Sequence, residues 1–298
     1  MGVSFQELRR VCQLPVRERN DVAGLLFGDH ASLPITKFFV DLRLSPNYAS
    51  IGFLIAGLVG AALQSFACVW ALAGALLLVL YYVLDCVDGE VARFQRVVDV
   101  RWGYYDYLFH MLIKPLTFFG VALGSFLELD LAWVFCAAFS AAVATLWLKM
   151  FLEIPGILFL KDVLKRSRRT GGAHRGALPV AVSAREPEEP ERTQRFQLRF
   201  DRVTLRALMT NFDVGLLLLV VATALDLSVP PPSLPGAGTL SFRALWLTYY
   251  GVVLPLDFID YLHTYLRRGH FSQEMTRLLA LAHHFRSELP EPEVSAER

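Results

Sequence analysis

Three aspartates and a histidine near residue 100 have the spacing of a metal site. Asp85 and Asp88 are three residues apart, so they share one face of a helix. Asp106 and His110 are four residues apart and share a face of the next helix. Two helices joined by a turn could bring the four side chains together, where the carboxylates would repel each other unless a cation were present. Oxygen ligands favour a hard divalent ion such as Mg²⁺ or Mn²⁺.

The residues around this group could bind a phosphorylated ligand. Gly89 leaves room for a ligand to approach the backbone, and Arg93 offers a guanidinium fork that suits a phosphate. Lys114 lies four residues beyond His110, on the same helix face. It could bind the phosphate of a lipid or of a polar acceptor, or it could pair with a carboxylate. The pattern favours metal-assisted phosphoryl transfer at a membrane surface.

The stretch 85–110 resembles the signature of the CDP-alcohol phosphotransferases, also called phosphatidyltransferases. That signature is Asp-x2-Asp-Gly-x2-Ala-Arg, followed by Gly-x3-Asp-x3-Asp. The chain departs from it twice: Trp102 stands at the glycine position, with Gly103 next to it, and His110 replaces the last aspartate. The residues that match are Asp85, Asp88, Gly89, Ala92, Arg93 and Asp106.

The resemblance implies a divalent-metal-dependent enzyme of phospholipid biosynthesis. Such an enzyme transfers a substituted phosphate group from a CDP-linked donor, such as CDP-diacylglycerol, to an alcohol hydroxyl and releases CMP. It commonly forms homodimers. The resemblance also implies a role for each site residue. Two ions, Mg²⁺ or Mn²⁺, would be held by Asp85, Asp88, Asp106 and His110; the nucleotide would contact Asp88, Gly89, Ala92 and Arg93; His110 would be the catalytic base; and Lys114 is a candidate substrate-binding residue.

Two other classes of protein remain open from the residues alone. A catalytically inactive relative with a scaffolding role would keep the fold, and His110 would then only be hydrogen-bonded to Asp106. A membrane transporter would also carry charges within the membrane, but it should show discontinuous helices or repeated halves. The sequence shows neither clearly.

The composition indicates that these residues sit in a membrane protein. The chain is 54% hydrophobic with a mean hydropathy of +0.42, which is more apolar than a soluble domain of this size. A net charge of +1 argues against nucleic acid as a partner. Residues 48–84 carry no charge and can hold two spans with a turn near 64–68. Further apolar segments at 103–126, 131–151, 208–225 and 245–266 predict an all-α integral membrane protein with six transmembrane helices.

The remaining segments predict the domain organisation. Residues 1–45 are expected to form a cytoplasmic or interfacial segment with a short amphipathic helix at 35–44. Asn47 is expected to cap the first span, and the alternative is that it approaches the nucleotide. Residues 46–270 form the predicted six-helix catalytic domain, with a flexible cytoplasmic loop at 165–195, and residues 271–298 form a cytoplasmic tail.

Charge asymmetry predicts which side the site faces. The expected outer turns at 64–69, 126–131 and 226–242 contain no Lys or Arg, whereas the segment 161–206 contains twelve. Arg243, at the start of the sixth span, is a mild exception. By the positive-inside rule, both termini and the site are cytoplasmic in a multi-pass protein, which we expect in a bacterial inner (plasma) membrane.

Overall fold

The computed structural model describes residues 3–16, 22–67, 69–97, 100–169, 206, 208–230, 233–234 and 238–267. These residues are almost entirely helical. The α-helices are α1 Phe5–Leu8, α2 Asp29–Asp41, α3 Pro46–Leu63, α4 Val69–Gln95, α5 Val100–Leu129, α6 Val134–Arg169, α7 Phe212–Ser228 and α8 Phe242–Arg267. Short π-helical segments occupy Arg9–Gln13 and Gly24–Gly28, and a 3₁₀-helical turn occupies Leu14–Val16. The short strands β1 Ser233–Leu234 and β2 Gly238–Thr239 pair antiparallel.

Within the described residues, four helical segments are long and apolar enough to cross a membrane. They are Pro46–Leu63, Val69–Gln95, Trp102–Leu129 and Val134–Phe151. The prediction of an all-α membrane protein is therefore confirmed. Helix α7 has 17 residues, which is roughly 25 Å against a hydrocarbon core of roughly 30 Å. The predicted total of six spans stays a prediction.

Helix α3 begins where the sequence places two start signals next to each other. Pro46 occupies the first helical turn, where its missing N–H costs nothing. The Ser45 hydroxyl oxygen accepts a hydrogen bond from the backbone N–H of Asn47, at 3.4 Å. Ser45 is therefore the helix cap, and the prediction that Asn47 caps the helix is wrong. The side chain of Asn47 is left to face a cavity described below.

Close backbone contact joins α3 to α4. A Cβ added to Gly60 would lie 2.9 Å from the carbonyl oxygen of Gly74, and one added to Gly74 would lie 2.8 Å from Cβ of Leu63. Small residues at membrane helix contacts allow this kind of approach. Phe53, Leu78 and Ile113 are fully buried between α3, α4 and α5. The three helices that carry the predicted site are thus packed directly against each other.

The described residues fall into two compact units. The first lies within Met1–Thr145 and Arg185–Pro255, and the second within Leu146–Ala184 and Leu256–Arg298. In the second unit, the rings of Trp147 and Phe151 contact Phe258 at centroid distances of 5.7 and 5.4 Å. All of the predicted site residues belong to the first unit.

Two of the predicted segments differ in extent from the structure. The helix expected at 35–44 begins earlier, since α2 spans Asp29–Asp41. Helix α6 continues to Arg169, so residues 165–169 of the predicted flexible loop are helical. Helix α6 continues through Pro155 and Gly156, and no further glycine or proline follows before Gly171, so no local breaker ends the helix within 157–169. Residues 170–195 of that loop and the tail 271–298 lie outside the described residues.

Candidate metal centre

The first half of the motif lies within α4, which continues to Gln95. Arg96 then adopts a left-handed conformation with φ of 54°. The N–H of Val97 donates to the carbonyl of Ala92 at 3.0 Å, which closes a Schellman-type helix end. This ending lets the chain turn into α5, which carries the second half of the motif.

Asp85, Asp106 and His110 form one cluster of donor atoms. One donor atom from each lies within 4.8 Å of the other two. Nε2 of His110 is 3.0 Å from Oδ1 of Asp85 and 3.5 Å from Oδ1 of Asp106. The ligands of one divalent ion, each about 2.0–2.6 Å from it, must lie within roughly 5 Å of each other. The sequence therefore correctly predicted that α4 and α5 bring these three side chains together.

The donor set fits a divalent ion. Oδ1 of Asp106 is buried and accepts no hydrogen bond from any residue in the described part of the chain. A buried carboxylate oxygen without a donor carries a desolvation cost that a bound cation would remove. Two carboxylates and one imidazole suit Mn²⁺ and are compatible with Mg²⁺.

Asp88 lies next to this cluster but is not a member of it. Its Oδ2 accepts a hydrogen bond from the hydroxyl of Ser50 on α3, at 2.8 Å. Asp88 also lines a cavity together with Asp106. Three of the four predicted ligands, Asp85, Asp106 and His110, therefore lie close enough to bind one ion. The fourth, Asp88, lines the cavity beside them.

Two aromatic residues fix the position of His110. Its Nδ1 is hydrogen-bonded to the hydroxyl of Tyr81. Its ring stacks on Phe53, with centroids 5.6 Å apart and an interplanar angle of 22°. Sequence reasoning missed Ser50, Phe53 and Tyr81. Tyr81 carried a usable signal, because it precedes Asp85 by four residues and so shares its helix face.

A cavity of about 250 Å³ opens beside the cluster. Its walls come from the start of α3, the end of α4 and the start of α5. Trp102, which stands at the glycine position of the motif, lines it, and so does Asn47. The complete lining is Pro46, Asn47, Ser50, Asp88, Gly89, Ala92, Val97, Trp102, Gly103 and Asp106.

Arg93 lies beside this cavity rather than among its lining residues. Its Nε donates a hydrogen bond to the backbone carbonyl of Cys12, at 2.7 Å. Its Nη1 lies 3.1 Å from the position that a Cβ on Gly89 would occupy. The guanidinium predicted to bind phosphate is therefore oriented by the N-terminal segment and sits next to the motif glycine.

Sequence reasoning also missed Glu90, although it lies within the motif. Only 2% of it is exposed. Its carboxylate accepts hydrogen bonds from Gln13 at 2.8 Å, from Ser32 at 2.8 Å and from Thr36 at 2.5 Å. Burial, together with the negative charge of Glu90, raises the pKa of the neighbouring Cys12 thiol to about 11. Cys12 therefore stays a neutral thiol near pH 7 and contributes its backbone carbonyl.

Lys114 extends from the cluster towards α7. Its Nζ lies 3.7 Å from Oδ2 of Asp213 and 5.1 Å from the ring centre of Phe212. Of the two roles that the sequence allowed, pairing with a carboxylate is the one seen here. Asn211 caps α7, since its side-chain oxygen accepts from the N–H groups of Asp213 and Val214. Substrate binding by Lys114 stays a prediction.

Comparison with known proteins gave no match: neither a family model nor a curated protein matches this chain.

Proposed function

We propose that the chain is a membrane CDP-alcohol phosphotransferase, which transfers a substituted phosphate group from a CDP-linked donor such as CDP-diacylglycerol to an alcohol and releases CMP. The observation that supports this best is the convergence of Asp85, Asp106 and His110 within 4.8 Å, beside a cavity lined by motif residues. Carboxylates within a membrane helix bundle are costly unless they serve a site. A metal site next to a ligand-sized cavity provides that reason.

In this proposal the metal ligands are Asp85, Asp106 and His110, and Asp88 completes the set on the cavity side. Divalent ions bound there, Mg²⁺ or Mn²⁺, would neutralise charge on the pyrophosphate and on the leaving phosphate. Ser50 keeps Asp88 turned towards the cavity by donating to its Oδ2. The phosphates would thus approach from the cavity side of the cluster.

The cavity walls suit the nucleotide part of the donor. Gly89 and Ala92 add no bulk to the wall formed by α4, and both line the cavity together with Asp88. Arg93 lies behind Gly89, where its guanidinium would pair with phosphate charge. On the other side of the site, Nε2 of His110 faces the carboxylates, and of the two roles expected for His110 we assign it that of metal ligand.

The proposal extends to location and partners. Lysine and arginine are concentrated in the segment 161–206 and are absent from the turns at 64–69, 126–131 and 226–242. This asymmetry supports a site that opens on the cytoplasmic side of the membrane, with both termini on that side. We take the membrane to be a bacterial inner membrane. CDP-linked donors are then accessible from the same side. The other partners are membrane lipid, the alcohol acceptor and a second copy of the chain in a homodimer.

The direct test is CMP release by the purified full chain. CDP-diacylglycerol would be incubated with Mg²⁺ or Mn²⁺ and a panel of alcohols with and without a phosphate group, and lipid products identified by mass spectrometry. We expect CMP and a new phosphodiester lipid, both abolished by a chelator and by Asp88→Asn. Asp130→Asn is the matched control, because it makes the same chemical change at an exposed residue in a predicted outer turn.

Two results would contradict parts of this proposal. One is activity that persists in chelator or survives Asp88→Asn, which would remove the metal site but not the transfer reaction. The other is a chain that binds Mn²⁺ but releases no CMP with any acceptor, which would favour an inactive relative or a transporter.

A further inference from the structure

The two ring nitrogens of His110 face chemically different partners. Nε2 lies among carboxylate oxygens, 3.0 Å from Asp85 and 3.5 Å from Asp106. Nδ1 is hydrogen-bonded to the hydroxyl of Tyr81. A neutral imidazole carries one proton, on one nitrogen only. The nitrogen that holds the proton decides whether His110 offers the carboxylate side a lone pair or an N–H group.

The packing around His110 opposes a 180° flip of its ring, which would put carbon atoms at the positions of both nitrogens. Tyr81 and Phe53 are fully buried, and their rings meet edge to face at 5.7 Å. Phe53 also stacks on the imidazole itself. A ring flip of His110 would break its hydrogen bond to Tyr81 within a dry environment, where a lost hydrogen bond is expensive.

We infer that Tyr81 is a positioning residue that keeps the proton of His110 on Nδ1 and the lone pair on Nε2. In this arrangement Nδ1–H donates to the phenol oxygen of Tyr81, and the Nε2 lone pair is available to a divalent ion that Asp85 and Asp106 would also bind. Histidines that bind metals usually donate their other N–H to an oxygen partner, which fixes the ring and its tautomer. The inference rests on the proposed metal site.

Tyr81 thereby influences which metal the site prefers. An imidazole nitrogen among the ligands favours Mn²⁺ or Co²⁺ over Mg²⁺, relative to a set made only of oxygens. That preference requires the lone pair on Nε2. If the Tyr81 hydroxyl instead donated to Nδ1, then Nε2 would carry the proton and His110 would only hydrogen-bond to Asp85. The phenol of Tyr81 therefore acts on the metal through His110, without itself touching the metal.

The test measures Mn²⁺ binding by electron paramagnetic resonance on the purified full chain, without substrate. Tyr81→Phe removes the hydroxyl and keeps the ring, and should weaken Mn²⁺ binding roughly 10- to 100-fold, the usual effect of losing such a hydrogen-bond partner. Tyr82→Phe is the matched control. Tyr82 is also buried, but its ring packs on Phe27, with ring centroids 5.2 Å apart. The substitution at Tyr82 should therefore leave Mn²⁺ binding unchanged.

A double-mutant cycle separates positioning from a general structural role. In a His110→Asp background no imidazole remains to be oriented, so adding Tyr81→Phe should change Mn²⁺ affinity by no more than about twofold. An equal loss in both backgrounds would overturn the inference, as would no loss in the His110 background or no Mn²⁺ binding by the unsubstituted chain.

Failure of the proposed reaction gives a different result. A coupled effect of Tyr81 and His110 on Mn²⁺ binding, without CMP release, would keep the inference and remove the transfer reaction. CMP release without that coupling would remove the inference alone.

Discussion

The surroundings of His110 are suited to a ring rather than to the aspartate that the resembling signature has at this position. Phe53 stacks on the imidazole, and Tyr81 pairs with the nitrogen that faces away from the carboxylates. An aspartate has no ring that could stack on Phe53, and it has no nitrogen that could pair with the hydroxyl of Tyr81. The histidine is therefore integrated into the packing of α3, α4 and α5.

His110→Ala should lower CMP release at least roughly 10- to 100-fold, because it removes a ligand of the proposed metal site and losing even an outer partner of a ligand costs that much. His110→Asp should retain activity and shift the metal preference from Mn²⁺ towards Mg²⁺, because oxygen replaces nitrogen in the donor set. Initial rates with each metal measure both effects. His30→Ala, at an exposed residue of α2, is the control. An unchanged rate and metal profile in His110→Ala would show that this residue takes no part in the chemistry.

At the scale of elements, α4 contacts different parts of the chain through different faces. Asp85 and Asp88 face α3 and α5, while Glu90 faces the N-terminal segment and binds Gln13, Ser32 and Thr36. The same segment orients Arg93 through the carbonyl of Cys12. Residues 1–45 are predicted to form a cytoplasmic or interfacial segment, and in the structure the contacts of Cys12, Gln13, Ser32 and Thr36 attach the described part of this segment to the motif helix. Whether α2 also contacts the membrane interface stays a prediction.

Glu90→Ala should release the N-terminal segment from α4. Each buried donor left without its acceptor costs roughly 1–3 kcal/mol, and Gln13, Ser32 and Thr36 all lose theirs. Limited proteolysis in detergent should therefore cut the N-terminal segment faster, and KM for the CDP-linked donor should rise because Arg93 loses its orientation. Glu7→Ala removes an exposed carboxylate of the same segment and should leave both measurements unchanged. Equal protease resistance in Glu90→Ala and the unsubstituted chain would refute this anchoring role.

Arg243 shows how the structure resolves an exception in the charge pattern. The residue is 1% exposed, and its guanidinium pairs with Glu128 at 2.6 Å and with Asp226 at 3.3 Å. It also donates to the carbonyls of Gln64 and Phe66. The one cation near the predicted outer side is thus neutralised within the protein, and it links the turn after α3 to the ends of α5 and α7 and the start of α8.

At the scale of the whole molecule, the arrangement of the chain across the membrane depends on α7. Ser167 follows the fourth span on α6, and Ser233 lies in β1, between α7 and α8. If α7 crosses the membrane, as six spans require, these two serines lie on opposite sides. If α7 does not cross, they lie on the same side.

Single cysteines at Ser167 and Ser233, in a variant without the native cysteines, distinguish the two arrangements. An impermeant maleimide added to sealed vesicles should label one position from outside and reach the other only after the vesicles are opened. Ser167→Cys should be the cytoplasmic one, because it lies in the basic segment 161–206. Labelling of both cysteines from the same face would remove one of the six predicted spans. Labelling of both in detergent controls for their reactivity.

The sequence alone determined those features that depend on residues close together along the chain. The helical period places Asp85 and Asp88 on one helix face, and Asp106 and His110 on another. As predicted, the first pair lies on α4 and the second on α5. Long apolar runs likewise predicted the four described helices that are long and apolar enough to cross a membrane, because each backbone group within a bilayer must be satisfied inside its own helix.

Only the tertiary structure decided which distant side chains complete the site. Ser50 reaches Asp88 from 38 residues away, Tyr81 reaches His110 from 29 residues away, and Gln13 reaches Glu90 from 77 residues away. These contacts depend on how far each helix is rotated and how closely α3 approaches α4 at Gly60 and Gly74. A membrane helix is apolar on nearly every face, so its hydropathy pattern does not specify that rotation; close packing of small residues and buried hydrogen bonds between helices does.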